Sequence, residues 1–417
     1  MFEGESPNRL TKPRRRATCR AMLDLLGQPR VLDFTTVVLG PYASQILGDL
    51  GADVIKIEPL SGDIFRAAGP GHSAEMGAGY LNLNRNKRSL AIDMREPEAR
   101  AAIDRLVAGA DLVIHNMRPA SAERLGIGFE RLSAINPRLA YVFAAGFGSE
   151  GRDADEPAYD DVIQARSGLA AINANAEGEP RFLKTIAADK VAGLHLAIAA
   201  LGALAKRDRT GEAVCVEAPM FESVVSFLFT EQLAGRTFEP PLGSTGYHRL
   251  MSPNRRPHRT KDGFLAVMPY STQHWQRFFE LAGKPEMASD PRVTDAATRS
   301  RNVDALYAMI GEVMPARTTA EWLGALGERD IPCAPVQSLD EVLEDPHLAD
   351  VGMVPALTHP SEGAVHSVRS PFRAGPAGSD AHAPRLGEHS REVLLEAGLN
   401  EAEVDALVAK GVVGEAG

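Results

Sequence analysis

The chain has 417 residues, 44% hydrophobic and 24% charged, an ordinary globular balance. At ~100–200 residues per domain, that length holds two or three domains, or one large α/β domain with an appendage. Lys plus Arg total 45 and Asp plus Glu 55, a net charge of −10 that argues against a nucleic-acid partner. No run approaches ~18 consecutive apolar residues, so no transmembrane helix and no membrane partner is expected. Cys19, Cys215 and Cys333 are too few and too scattered for a disulfide scaffold or a CxxC zinc site, and a reducing cytoplasm is the expected setting.

In chain order, residues 1–20 come first. Arg14, Arg15, Arg16 and Arg20 give them a basic cast, but Glu3 and Glu5 argue against a transit peptide, and no apolar stretch follows as in a secretory signal. They read as an extension. Val31-Leu32-Asp33-Phe34 then reads as a short buried strand. Gly40-Pro41 opens a helix at a position where proline's missing N–H costs nothing, and Gly51 stops it. Val54-Ile55-Lys56-Ile57 is the next strand, completing a βαβ unit within ~30 residues. The pattern repeats with a strand at 89–94, a helix at 97–110 and strands at 112–114 and 140–144. Such alternation predicts a mostly parallel sheet with helices on both faces.

Beyond Tyr159 the texture is more helical. Residues 189–206 form a nearly all-apolar helix, expected to be buried, and 219–234 another. A stretch rich in Pro, Gly and Arg from 235 to 261 reads as a linker. Lys261-Asp262-Gly263 is a hairpin turn feeding a strand at 264–268. Helices are expected at 273–282, 300–315 and 319–328, and the tail from 390 to 410 reads as helical.

The common catalytic signatures are missing. Gly146-Phe147-Gly148-Ser149-Glu150-Gly151 has dinucleotide-fingerprint spacing, but Arg152-Asp153-Ala154-Asp155-Glu156-Pro157 opens no helix to receive a pyrophosphate, so it reads as a turn. The histidines are scattered, and His195 reads as a packed residue of the apolar helix, so no metal is expected. One carboxylate stands apart. Asp189 precedes Lys190-Val191-Ala192-Gly193 at the start of the long helix. It reads either as an N-cap or as a nucleophile that the helix dipole keeps ionised. Tyr159-Asp160-Asp161 reads as a helix start with a capping Asp or as a paired-carboxylate acid/base site. Arg249, Arg255, Arg256, His258, Arg259 and Lys261 form a basic cluster suited to a solvated loop or an anionic ligand. Asn84-Arg85-Asn86-Lys87-Arg88 is a polar turn of the same ambiguity.

Taken together, these segments resemble class III CoA-transferases, the CaiB/BaiF group. The resemblance is carried by Val31 to Ala43, Leu47 to Glu58, Asn86-Lys87-Arg88-Ser89, Asn136-Pro137-Arg138, Gly146-Phe147-Gly148, Asp189-Lys190-Val191-Ala192-Gly193, Ile331 to Val336 and Leu386-Gly387-Glu388-His389, in register from about 28 to 413. It implies a nucleophilic Asp189 that passes through aspartyl-anhydride and aspartyl-CoA thioester intermediates. It implies coenzyme A as a substrate moiety, with no permanently bound cofactor. By position, it assigns CoA contacts to Val38, Leu39, Ile92, Asp93, Met94, Arg95, Asn116, Met117, Arg118, Arg124, Tyr159 and Asp160.

The resemblance also implies architecture. A large Rossmann-like domain would be built from both chain ends around a small α+β domain, in an interlocked homodimer. The expected boundaries are 1–26 for the extension, 27–220 for the first part of the large domain, 221–260 for a linker, 261–333 for the small domain and 334–417 for a linker and the second part. The chain departs from formyl-CoA transferases in two places. Gly243-Ser244-Thr245-Gly246 stands near where those enzymes carry a run of glycines, and Val38 stands where they carry a pocket Gln. Two alternatives share the resemblance. One is an α-methylacyl-CoA racemase-type isomerase, whose base would be a His where Tyr159 stands. The other is a CoA-binding protein without catalysis.

Overall fold

The computed structural model describes residues 23–374 and 380–416, so Cys19 and residues 1–22 of the expected extension lie outside the described residues. Residues 23–26 do not behave as an extension: Leu23 is buried, and the Leu25 and Leu26 amides donate to the Leu50 carbonyl. Twelve strands appear among the described residues: β1 (Arg30–Asp33), β2 (Asp53–Glu58), β3 (Lys87–Ile92), β4 (Leu112–His115), β5 (Ala140–Phe143), β6 (Val214–Glu217), β7 (His258–Arg259), β8 (Phe264–Val267), β9 (Cys333–Pro335), β10 (Ala356–His359), β11 (Gly363–His366) and β12 (Val413–Gly414). Two compact units result. One holds the described residues up to Ala145, Ala192–Ala218 and those from Pro355 onward. The other holds Gly146–Val191 and Pro219–Val354. This partition differs from the expected domains, since 146–191 groups with the second unit.

The first unit is a doubly wound α/β layer. Its sheet runs β12-β3-β2-β1-β4-β5-β6, parallel throughout except for the antiparallel β12. Strands covered on both faces must be apolar on both. Leu32, Ile55, Leu90, Val113 and Ile114 are accordingly inaccessible to water. The helix Pro97–Ala108 presents Ile103, Leu106 and Val107 to this core. Val393, Leu394 and Val404, near the C-terminus, join the same cluster. The helical tail expected over 390–410 forms two helices, Ser390–Glu396 and Glu401–Ala409. Gly398 at φ 89° turns the chain between them, and Asn400 with Glu403 starts the second with a reciprocal cap. The two-residue strand β12 escapes sequence reading because it carries no usable period, and β6 because Glu217 and the exposed Cys215 break its apolar run.

The second unit contains the antiparallel sheet β7-β8-β9. Trp275, Phe278, Phe279, Tyr307 and Trp322 fill its core. The hairpin expected at 261–263 forms, with the Thr260 amide donating to the Gly263 carbonyl at 2.9 Å.

The helix Ala187–Thr210 is long and apolar enough to cross a membrane by length and composition, although no run of consecutive apolar residues predicts one. It is 24 residues long with a mean hydropathy of 1.4 over its most apolar 18, and half of that stretch is buried. Four leucines and seven alanines in residues 187–204 supply most of that value, and buried core helices have the same length and composition. Ala188, Ala192, Leu196 and Ala200 form its buried stripe, whereas Leu194 and Ile198 are exposed.

Candidate active site

In a doubly wound sheet, ligands meet the carboxyl ends of the strands where the strand order reverses. Here that point lies between β1 and β4, since β1 is followed outward by β2 and β3 on one side and β4 starts the other. Asn116, just past β4, ties the two loops together. Its Oδ1 accepts from the Thr36 amide and its Nδ2 donates to the Thr36 carbonyl, both at 2.9 Å. Met117 follows, its amide donating to His115 Nδ1 at 3.2 Å. His115 Nε2 lies 2.6 Å from the Tyr141 hydroxyl, which itself donates to the Ile127 carbonyl. Burial pulls His115 down to about 4, so it stays neutral and organises the loop.

Val38 and Leu39 are only 2% and 4% exposed. What this segment offers a ligand is therefore main-chain N–H at the start of the helix Leu39–Asp49. Gly40 must be glycine there, because a Cβ would sit 2.2 Å from Thr35 Cβ. Ile92 and Met94, at the end of β3, are buried. Arg95 is exposed and pairs with Asp93 at 2.6 Å. Its hydrogen bonds hold the Asp93 carboxyl down at about 2. Arg118 is exposed and immediately precedes the helix Pro119–Leu125, and Arg124 on that helix donates to Ser121 Oγ at 3.3 Å. The first unit thus gathers Val38, Leu39, Asn116, Met117 and Arg118 at the reversal point. It places Ile92 to Arg95 at the end of β3, two strands beyond β1.

The second unit brings together two carboxylates that the sequence presented as separate features. The Asp189 amide donates to Asp160 Oδ1 at 3.1 Å. Gln164 Nε2 donates to Asp160 Oδ2 at 2.6 Å, and the Leu183 amide donates to Gln164 Oε1 at 2.9 Å. Asp189 is not the N-cap: it sits in the first turn of Ala187–Thr210, and Asp160 satisfies its free N–H. Nor does the dipole keep its carboxyl at the usual acidic value. Burial, and then the negative charge of Asp160, push Asp189 up to about 7. Tyr159 precedes this pair and is 67% exposed.

One turn beyond Asp189 comes Gly193, within the first unit. A Cβ there would lie 2.7 Å from the Leu39 carbonyl and 3.1 Å from the Tyr42 ring. The glycine of the Asp189-to-Gly193 motif is therefore required for close approach of the helix to the Leu39 segment.

Other candidates resolve structurally. In the polar turn, Arg85 pairs with Asp49, Lys87 with Asp33 at 3.2 Å and Arg88 with Asp53 at 2.8 Å, so its cations face protein carboxylates. Arg249 donates to the Tyr307 hydroxyl at 2.8 Å and lies over Tyr270; Arg259 lies over Phe264. His195 is half-buried in its helix. The Gly146–Gly151 stretch stays a turn, with the Gly148 amide donating to Glu222 at 3.0 Å. Gln164 was missed by sequence reading, although its i+4 spacing from Asp160 on a helix was an available signal.

The fold defines an α/β protein whose first unit is doubly wound, and whose second unit holds Asp160 beside Asp189. Residues 26–390 match the family model described as CoA-transferase family III. The chain belongs to that family. It is 32% identical over 395 residues to the succinyl-CoA:mesaconate CoA-transferase of Haloarcula hispanica, covering 90% of this chain and 96% of that protein. It is 31% identical to the formyl-CoA:oxalate CoA-transferase of Streptomyces avermitilis, covering 92% and 98%. Among solved structures, a CaiB/BaiF family protein from Brucella suis superposes with a TM-score of 0.75 at 29% identity, covering 90% of this chain and 99% of that one.

Proposed function

We propose that this protein moves CoA between an acyl-CoA and a free carboxylic acid, with Asp189 as the nucleophile. The observation that carries the reading is a carboxylate only 7% exposed, in the first turn of a helix, paired with Asp160 and raised to about 7. An Asp189 oxygen attacks the thioester carbonyl; the C–S bond breaks, leaving an aspartyl-acyl anhydride and CoA thiolate. The thiolate attacks the aspartyl carbonyl and releases the donor acid, leaving an aspartyl-CoA thioester. The acceptor carboxylate attacks that thioester and expels the thiolate again. The thiolate then attacks the acceptor acyl carbon, giving the new acyl-CoA and restoring Asp189. Electrons and protons balance without metal or redox partner. A raised carboxyl remains about half ionised at neutral pH and is a better nucleophile than an ordinary aspartate. Burial protects both reactive intermediates from water.

Mesaconate, glutarate, D-citramalate and oxalate in the names of the relatives are all dicarboxylates. A dicarboxylate acceptor is the reading they support, with succinyl-CoA as the first donor to try. We read the protein as a cytoplasmic homodimer with interlocked subunits. Exposed Leu194 and Ile198 in the first unit, and exposed Phe227 and Phe229 in the second, are apolar side chains that a partner subunit would cover. Mass spectrometry after incubation with succinyl-CoA and hydroxylamine should show a hydroxamate at Asp189. An unmodified Asp189, together with full activity of Asp189→Ala, would overturn the mechanism.

A further inference from the structure

Val37 stands at φ 70°, the one β-branched residue with positive φ among the described residues. A β-branched side chain is a poor fit to the left-handed region, so the surroundings must hold it there. Asp63 does so. Its Oδ1 and Oδ2 accept from the Val37 amide at 3.1 and 3.2 Å. The carboxylate is itself fixed. Lys56 Nζ donates to Oδ2 at 3.0 Å and to the Thr35 carbonyl at 2.9 Å, while the Phe65 amide donates to Oδ1 at 2.9 Å. Both Lys56 and Asp63 side chains are fully buried. Asn116 grips Thr36 from the other side. The segment leading into the helix Leu39–Asp49 is thus clamped at three successive residues, Thr35, Thr36 and Val37.

We propose that Asp63, fixed by Lys56, is a positioning residue for coenzyme A: it holds Val37 in the left-handed conformation and so aims the N–H groups of the Val38-Leu39 segment at the ligand. This rests on the reading that those residues contact CoA. Neither Asp63 nor Lys56 touches the reacting atoms. Released from the carboxylate, Val37 relaxes to negative φ in about nine molecules of ten, at the population penalty usual for an L-residue in that region. Apparent affinity falls by the competent fraction, about tenfold. Glycine at 37 carries no such penalty.

The test uses the full chain, coenzyme A as probe and calorimetry as readout. Lys56→Met/Asp63→Leu removes the pair together, so no buried charge is stranded. The expected result is CoA binding about tenfold weaker, restored to within about threefold by adding Val37→Gly. Should the apolar pair fail to fold, Asp63→Asn serves: one carbonyl oxygen remains to accept the Val37 amide, and the expected loss is about threefold, again restored by Val37→Gly. Unchanged CoA affinity, or a loss that glycine does not restore, overturns the proposal. Failure of the transferase reading shows differently, as wild-type protein that forms no adduct at Asp189.

Discussion

Two buried charge clusters in this chain obey opposite rules. Around Lys56, burial opposes the charge, but Asp33, Asp63 and Glu58 outweigh it and hold the ammonium above its ordinary value. Around Asp189, burial opposes the charge and Asp160, another acid, adds to the opposition. The first cluster is matched, cation to anion, and fixes a loop. The second is mismatched, and the carboxylate it strains is the one we propose as the nucleophile.

The largest expected effect comes from removing the mismatch. Asp189→Ala should lower kcat for CoA transfer by at least about 10⁴-fold, read by steady-state assay. Asp189→Asn should be equally inactive yet more stable. The folded pKa of about 7 exceeds the ordinary 3.8, so the folded state binds more protons between these values and wild-type stability falls as pH rises through them. At pH 8 the Asn variant should gain about 2–4 kcal/mol in denaturant unfolding, a gain absent near pH 4. No gain at pH 8 would show that Asp189 is not strained by its site.

Breaking the matched cluster should do the reverse. Lys56→Met alone strands Asp63 in the core and should cost about 3–5 kcal/mol of stability. A thermal midpoint unchanged from wild type would contradict that. Gly193→Ala pushes a methyl into the Leu39 carbonyl and should cost about 1–3 kcal/mol, with KM for acyl-CoA rising as the Leu39 segment shifts. The smallest effect is expected at Asp160→Asn. The amide oxygen still accepts the Asp189 N–H, but the neighbouring charge is gone. Asp189 should then titrate lower, shifting the acid limb of the kcat/KM profile down by about one unit. An unmoved limb would assign it to another group.

Much of the first unit was legible because buried parallel strands and amphipathic helices have periods that sequence displays, as in Val54 to Ile57 and Ile103 to Val107. Asp189 was legible by its motif. Its environment was not: Asp160 lies 29 residues earlier, and only folding brings its oxygen to the Asp189 amide. The turn Asn84 to Arg88 reads as solvent-exposed because five polar residues in a row usually are. Lys87 is nonetheless fully buried against Asp33, from 54 residues away. Long-range charge pairing reverses the surface bias of such residues, and no local window contains it. The left-handed Val37 is equally silent, since valine there contradicts local propensity and is held by Asp63, 26 residues on.

The two-residue strand β12 has a consequence out of proportion to its length. It pairs with β3 at Ile92 and Ala91, and Ser390 bridges the junction, its Oγ donating to the Gly414 carbonyl at 2.6 Å and accepting from the Ala91 amide at 3.1 Å. Without it, the outermost parallel strand would present unpaired main-chain groups to any passing chain, the template on which edge-to-edge aggregation grows. Val413 and Gly414 thus act as a selvedge: they finish the border of the sheet and keep one molecule from being woven into the next.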